Sequence, residues 1–356
     1  MRTADACVHV MQPVLEPSRP ATHSPPMPIV RTSSGKSFAI AERETLLDAA
    51  LRAEITWAYS CRTGRCGTCK GQVRAGSTSA LHDELGLSQA ERNAGWVLTC
   101  VRQAASDVEL EIDDLGDVQM FPARTLPCRI QALERLSSDV VKVTLRLPPG
   151  NDFSFHPGQY VDVIAHGGLR RSYSIANAPS EDRRIELHIR QVPGGAMSPY
   201  WFEQARVNDL LRLNGPLGTF FLREVDGLDL VLLATGTGIA PVKAMLEGLA
   251  RRPEQPRSIS VYWGGRVPDD LYWDASEPGT RHRYVPVLSR ADDRWAGARG
   301  HVQDVLLVQP REWDRTAVYA CGSDLMIHSA RQQLLDAGLS QRRFYSDAFV
   351  CSASAA

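Results

Sequence analysis

Apolar residues recur along the chain in three rhythms, and each rhythm predicts a different kind of layer. From Pro28 two short runs, "PIVRTS" and "KSFAI", flank Ser34-Gly35 and predict a small hairpin. "ETLLDAALRAEI" then places Leu47, Ala50, Leu51 and Glu54 at helical spacing, with Thr45 as N-cap. Beyond a loop rich in glycine and cysteine come a strand and turn in "CKGQVRAGS", a short helix after Ser88 and the run "WVLTC". In "DVELEID" Val108, Leu110 and Ile112 alternate with acids, the pattern of a half-buried strand. These elements predict a small mixed α and β domain over residues 28–118.

Between residues 122 and 224 alternation takes over. "VVKVTLRL" alternates through Val141, Val143, Leu145 and Leu147. "GQYVDVI", "RRSYSIA" and "RIELHIR" follow, broken by Pro, Gly, Asn and Asp, with one short helix in "SPYWFEQA". Short strands at this spacing predict an antiparallel barrel. From 225 to 356 the rhythm changes again. "LDLVLLATGTGIAPVKAMLEGLA" reads as an apolar strand, a glycine turn and a helix, and "SISVYWGG", "RYVPVLS" and "TAVYACG" as further buried strands. Helical stretches such as "SDLMIHSARQQLLDAG" lie between them, which predicts a parallel sheet covered on both faces. Residues 1–27, proline-rich and without periodicity, are expected to form a disordered tail. No internal repeat is visible.

Composition narrows the picture. A chain of 356 residues is too long for one core, in keeping with the three rhythms. Lys plus Arg total 40 against 41 Asp plus Glu, so charge gives no reason to expect nucleic acid or an anionic membrane as partner. No apolar run approaches the roughly 18 residues of a membrane span, and the N-terminus has no apolar core of a secretion signal. Eight cysteines are too sparse for a disulfide framework, and the cytoplasm is the expected compartment.

Four of those cysteines carry the most specific signal. In "AYSCRTGRCGTCKGQV", four residues separate Cys61 from Cys66 and two separate Cys66 from Cys69; thirty more precede Cys100. This is the C-x4-C-x2-C…C spacing of a plant-type [2Fe–2S] cluster held by four thiolates. Gly64, Gly67 and Gly71 would let the backbone close around it, and Arg62 and Arg65 would add positive charge beside an anionic cluster. Structural zinc more often uses two short-spaced pairs, and here the second pair is missing. Cys7 and Cys351 lie in the tails, and Cys128, at the start of a strand, reads as a small buried side chain. Cys321 stands at a strand end before Gly322; it either borders a ligand or packs there.

Three glycine-containing segments complete the candidates. In "RSYS", Arg171 can pair with a phosphate and Tyr173 can offer its ring to a flavin, although a surface strand with a packed tyrosine reads the same way. "PGGAMS" at 193–198 ends at a helix start that could receive a second phosphate, and "GPLGTF" at 215–220 reads as a turn. "GTGIAP" at 236–241 follows a strand and opens a helix, with Pro241 in place of the third glycine of a dinucleotide turn. No acid–base pair or nucleophile stands out, and His156 and His188 read as ordinary barrel residues.

Taken in order, "CRTGRCGTC", "PGQYVDV", "RSYSIAN", "GPLGTF", "GTGIAP" and "YACGS" resemble the ferredoxin–NAD(P)H reductase superfamily, in its form with an N-terminal [2Fe–2S] domain. The resemblance covers residues 28–350 and implies three domains: a β-grasp ferredoxin domain at 28–118, an antiparallel β-barrel FAD domain at 122–224 and a parallel-sheet NAD(P)-binding domain at 225–356. It implies that Arg171, Tyr173 and Ser174 contact the flavin of FAD, and that Gly195, Met197 and Ser198 lie by its phosphates. Gly236, Thr237, Gly238, Cys321 and Gly322 would border the nicotinamide of NAD(P)H, with NADH favoured. Arg266 either meets a 2′-phosphate or is solvated, and Phe349 either covers the flavin or packs; Asn208-Asp209 replaces the family's Gly-Asp in a turn. Such proteins pass electrons to a protein acceptor. "RRSYSIAN", "ATGTGIAPVKAML", "YVPVLS" and "FYSDAFV" resemble the branch that serves a pyridoxamine-phosphate-dependent dehydrase of CDP-3,6-dideoxyhexose synthesis. The alternative acceptor is a component of a multicomponent oxygenase. A ferredoxin-type carrier or redox sensor without enzymatic activity is a further class, and "GTGIAP" speaks against it, because a carrier needs no nucleotide turn.

Overall fold

The computed structural model describes residues 27–116, 118–150, 152–276 and 281–349. Most of the tail, including Cys7, and the C-terminal Cys351 lie outside them.

In the first segment the strands are β1 (Ile29–Thr32), β2 (Ser37–Ala39), β3 (Lys70–Ala75), β4 (Thr78–Ala80), β5 (Trp96–Leu98), β6 (Arg102–Ala104) and β7 (Val108–Glu111). Five of them form a sheet in the order β2-β1-β7-β3-β5, in which β1 and β7 run parallel. Helix α1 (Leu46–Arg52) buries Leu46, Leu47, Ala49 and Ala50, and its Thr45 N-cap accepts from the Asp48 N–H. Contrary to the periodicity, Glu54 is outside this helix: Ala53 caps it and Glu54 turns back at φ +59°. Helix α2 (Gln89–Asn93) opens on a complete capping box between Ser88 and Glu91. This is a β-grasp sheet with its core on Val30, Leu98, Val108 and Leu110.

The second segment is a six-stranded antiparallel sheet of β8 (Arg124–Arg135), β9 (Val140–Arg146), β10 (Tyr160–Ile164), β11 (Arg170–Ser174), β12 (Arg184–Arg190) and β13 (Leu210–Leu217). Its order is β11-β10-β13-β8-β9-β12, and a bridge between Ile175 and Leu187 brings the two edges together into a nearly closed barrel. Alternation drives the closure, since Val141, Val143, Leu145 and Leu147 all point into the core. Cys128 lies inside β8 rather than at its start, and it is buried. The expected helix after Ser198 is a single π turn, Tyr200–Gln204. "GPLGTF" is strand up to Leu217 and turns only at Gly218.

The third segment holds a parallel sheet of β14 (Asp229–Thr235), β15 (Ser258–Gly265), β16 (Arg283–Leu288), β17 (Ala298–Arg299), β18 (Thr316–Ser323) and β19 (Phe344–Phe349). The order is β17-β16-β15-β14-β18-β19 and every pairing is parallel. Leu230, Val231, Leu232, Leu233 and Ala234 are wholly buried, as expected of a strand with both faces covered. Helices α3 (Ile239–Leu249), α4 (Val302–Leu307) and α5 (Asp324–Asp336) supply that cover. The chain leaves β14 towards β15 and returns on its other side as β18. The strand order therefore reverses at β14, and the crevice beyond its carboxyl end is where such sheets bind ligands.

Candidate functional site

The cysteine loop is wound tightly. Gly64 and Gly67 both sit at φ +73°, and a Cβ on Gly64 would stand 2.3 Å from the Asp83 carbonyl oxygen. The segment after Asp83 closes over the loop, with the Gly86 N–H donating to the Gly64 carbonyl at 2.9 Å. A Cβ on Gly86 would meet the Arg65 carbonyl at 2.7 Å. Gly86 therefore belongs to the cradle, whereas Gly71 does not: it lies in β3 under Leu110 and Ile112.

The four thiols come together two by two, Cys61 with Cys66 and Cys69 with Cys100. Sulfur of Cys61 accepts the N–H groups of Thr63 and Cys66, each at 3.4 Å. Its partner Cys66 and these neighbours hold the Cys61 thiol below its ordinary range, while the same bond and burial push the Cys66 thiol up. Cys69 likewise holds the Cys100 thiol below its ordinary range. Among the described residues no three His, Cys, Asp or Glu side chains converge on one metal ion. Two thiol pairs in a backbone cradle suit a two-iron cluster, with four thiolates shared between two irons, better than one tetrahedral zinc. The charge beside it is smaller than the arginine count implies, because Arg62 is ion-paired with Asp48.

Along β11, Arg171 and Tyr173 share one face. The Tyr173 hydroxyl accepts from Trp201 Nε1 at 2.9 Å, which fixes the ring edge-on to the indole. The serine at the strand end, Ser174, is buried near Asp347 of β19. Farther along, Ser198 uses its hydroxyl to accept the Val192 N–H at 2.9 Å, and Met197 packs into the barrel core. Gly195 is hemmed in by Val192 and Ser198. At this turn the backbone remains available to a ligand, while the side chains are occupied.

At the carboxyl ends of β14 and β18 two turns interlock. A Cβ on Gly238 would stand 2.2 Å from the Cys321 carbonyl oxygen, and one on Gly322 would stand 2.2 Å from Thr235 Oγ1. Trp263 Nε1 donates to the Gly236 carbonyl at 2.9 Å. Gly236 and Thr237 face the crevice half-buried, and a Cβ on Gly236 would meet Arg190 Nη1 of the barrel at 3.2 Å. The Cys321 side chain is wholly buried, so burial pushes its thiol up and only its backbone borders the crevice. Arg266 donates from Nε and Nη2 to Asp270, both at 3.0 Å, and Phe349 packs against the core of the nucleotide sheet. His156 stacks on Phe221, and His188 bonds Glu186 at 2.8 Å; both lie in or against the barrel.

The three regions meet at residues that the sequence did not single out. Tyr59 and Ser60, just before Cys61, are buried against the other two segments. The Tyr59 N–H donates to Thr219 Oγ1 at 2.8 Å, and the Thr219 hydroxyl and N–H return bonds to the Tyr59 carbonyl at 3.0 and 3.1 Å. Tyr160 donates to the Ser60 carbonyl at 2.8 Å, and the Ser60 hydroxyl donates to Asp347. Burial pushes the Asp347 carboxyl up to about 6, against the pull of the two serine hydroxyls. Thr219 lies inside "GPLGTF" and Asp347 inside "FYSDAFV", but nothing local marks either as a junction residue.

Family models match along the whole of this arrangement: a 2Fe–2S iron–sulfur cluster binding domain at 30–105, an oxidoreductase FAD-binding domain at 127–222 and an oxidoreductase NAD-binding domain at 232–332. The chain is 40% identical over 331 residues to the CDP-6-deoxy-L-threo-D-glycero-4-hexulose-3-dehydrase reductase of Yersinia pestis, covering 92% of this chain and 97% of that one. It is 33% identical to the terephthalate 1,2-dioxygenase reductase component 1 of Comamonas, with 89% and 95% covered. It belongs to the ferredoxin reductase superfamily, in the form that carries its own [2Fe–2S] domain. Among solved structures, the cytochrome P450 reductase GcoB of Amycolatopsis matches this ferredoxin reductase with a TM-score of 0.72 and 32% identity, over 90% of this chain and 98% of that one. The protein is thus an NAD(P)H-dependent oxidoreductase built for FAD and a [2Fe–2S] cluster.

Proposed function

We propose that this reductase delivers single electrons from NADH to the dehydrase of CDP-3,6-dideoxyhexose synthesis. When bound, NAD(P)H would supply a hydride, FAD the means of dividing it into single electrons and the [2Fe–2S] cluster a one-electron path outward. The observation that carries the reading is the junction itself. The cluster loop is bonded, through the Ser60 carbonyl, to Tyr160, which pairs across the barrel sheet with the Ser174 that ends the flavin strand.

In this reading Cys61, Cys66, Cys69 and Cys100 hold the irons. Arg171, Tyr173 and Ser174 hold the flavin, and Gly195, Met197 and Ser198 present their backbone to its phosphates. Gly236, Thr237 and Gly238, with the backbone of Cys321 and Gly322, border the nicotinamide. Trp201 and Trp263 keep Tyr173 and Gly236 in place. The pairing of Arg266 with Asp270 leaves that guanidinium engaged and supports NADH over NADPH. The working division is 28–118, 122–224 and 225–356, and the expected compartment is the cytoplasm; no helix among the described residues is long and apolar enough to cross a membrane.

Higher identity to the hexulose-dehydrase reductase than to the dioxygenase reductase supports the deoxysugar acceptor. Coupling decides it: the reconstituted reductase and NADH are offered a purified pyridoxamine-phosphate-dependent hexulose dehydrase and, separately, a dioxygenase component. Faster NADH oxidation with the dehydrase supports the proposal; faster oxidation with the oxygenase component moves the protein to the alternative role.

A further inference from the structure

The junction carries a consequence for how the cluster is placed, and it rests on the reductase reading above. Two consecutive residues of the ferredoxin domain, Tyr59 and Ser60, make five hydrogen bonds to the other domains. Their partners come from three separate places in the chain: Tyr160 at the start of β10, Thr219 just past β13 and Asp347 in β19. The next residue is Cys61, a cluster ligand. A side chain anchored this close to a ligand transmits its position to the sulfur through only a few covalent bonds.

The anchors are also dry. Ser60 is 3% exposed, Thr219 4% and Asp347 5%, so a lost partner cannot be replaced by bulk water. Asp347 takes the Ser60 hydroxyl, and the Ser60 carbonyl takes the hydroxyl of Tyr160, the residue that pairs with Ser174 of the flavin strand. Parallel pairing of β18 with β19 sets Asp347 beside Cys321, at the edge of the nucleotide crevice. Cys66 belongs to the same buried apolar cluster as Phe344 and Ala348 of that sheet, so apolar packing reinforces the polar anchors.

We propose that Ser60, held by Asp347, and Thr219, holding Tyr59, are positioning residues that fix the cluster loop against the flavin strand for electron transfer. They touch neither a reacting atom nor the substrate. Their effect falls on the step between flavin and cluster and spares the steps before it. Loss of one anchor leaves the thiols and the flavin strand intact but lets the loop shift, and electron transfer slows exponentially as the gap between flavin and cluster widens.

The test uses the full-length protein loaded with iron and FAD, comparing Ser60→Ala with wild type. NADH-driven reduction of ferricyanide reads electrons leaving the flavin, and reduction of cytochrome c reads electrons leaving the cluster. Iron and flavin content are measured alongside, with hydrogen–deuterium exchange over 58–66 and 344–349. The expected result is unchanged iron and flavin, ferricyanide reduction within about twofold of wild type and cytochrome c reduction slower by more than about twofold. Exchange in both segments becomes faster. A cytochrome c rate within about twofold of wild type, with unchanged exchange, overturns the proposal. Should Ser60→Ala lose iron, Thr219→Val decides, because it removes the hydroxyl that holds Tyr59 from a domain without cluster ligands. The same selective loss supports the proposal, and an unchanged ratio of the two activities overturns it. Wild-type protein that fails to reduce ferricyanide with NADH would refute the reductase reading instead.

Discussion

Gly64→Ala tests whether the cradle around the thiols is set by backbone contact or merely by chain flexibility. Gly64 lies at φ +73°, where an L side chain costs about 1–2 kcal/mol. Its Cβ would stand 2.3 Å from the Asp83 carbonyl oxygen, so that carbonyl or the loop must move by about 1 Å to reach the 3.4 Å of ordinary contact. Forcing a backbone apart inside a packed site adds about 1–3 kcal/mol. Gly35 supplies the control: its φ is +81°, and an added Cβ would meet nothing within 4 Å. Gly35→Ala should therefore show the dihedral cost alone, about 1–2 kcal/mol, while Gly64→Ala loses about 2–5 kcal/mol in all. Urea unfolding of the two variants, followed by loss of cluster absorbance, reads the difference, and iron content after reconstitution gives an independent check. Equal midpoints for the two variants would refute the steric account of the cradle.

Other expectations follow from the same geometry. Cys100→Ser should remove the cluster and its absorbance while leaving NADH-to-ferricyanide reduction largely intact; loss of that activity with FAD still bound would contradict the electron order. Gly238→Ala drives a Cβ against the Cys321 carbonyl at 2.2 Å, so NADH binding, read as a raised KM, should weaken while iron and FAD content stay as in wild type. Asp347 has a folded-state value of about 6 against 3.8, so the folded chain holds this proton longer than the unfolded one. The resulting stabilisation is fully present below 3.8 and is lost as pH rises through about 6. Wild type should lose about 3 kcal/mol relative to Asp347→Asn across that window, about half of it between pH 5 and 8. Parallel stability curves for the two proteins would exclude this.

What could be read from the sequence was what the chain encodes locally. Val141, Val143 and Leu145 announce β9 because each alternate residue enters the core, and the unbroken run Leu230–Ala234 announces a strand with two covered faces. That four thiols would come together was legible because three of them share one loop. Strand β8 was read only from Cys128 onward: Leu126, Cys128 and Ile130 alternate, but Pro127 interrupts them and only Cys128 and Ile130 of its twelve residues are buried, so its extent was not legible. Strand β19 hides a buried aspartate in its interior, the opposite of what hydrophobic patterning seeks. The junction was beyond reach altogether, since its hydrogen bonds join residues 160 and 287 positions apart. Glycine roles divided in the same way. Gly64 and Gly67 serve the loop as read, but Gly86 closes the cradle from a segment with no motif, and Gly71 only makes room under Leu110.

Anaerobic titration of the reconstituted full-length protein with NADH follows electrons from nucleotide through flavin to cluster. Iron and FAD should bind together, and the flavin and cluster absorption bands should bleach together as NADH is added. Protein that binds iron but no flavin, or whose flavin bleaches while a bound cluster stays oxidised, would contradict the account.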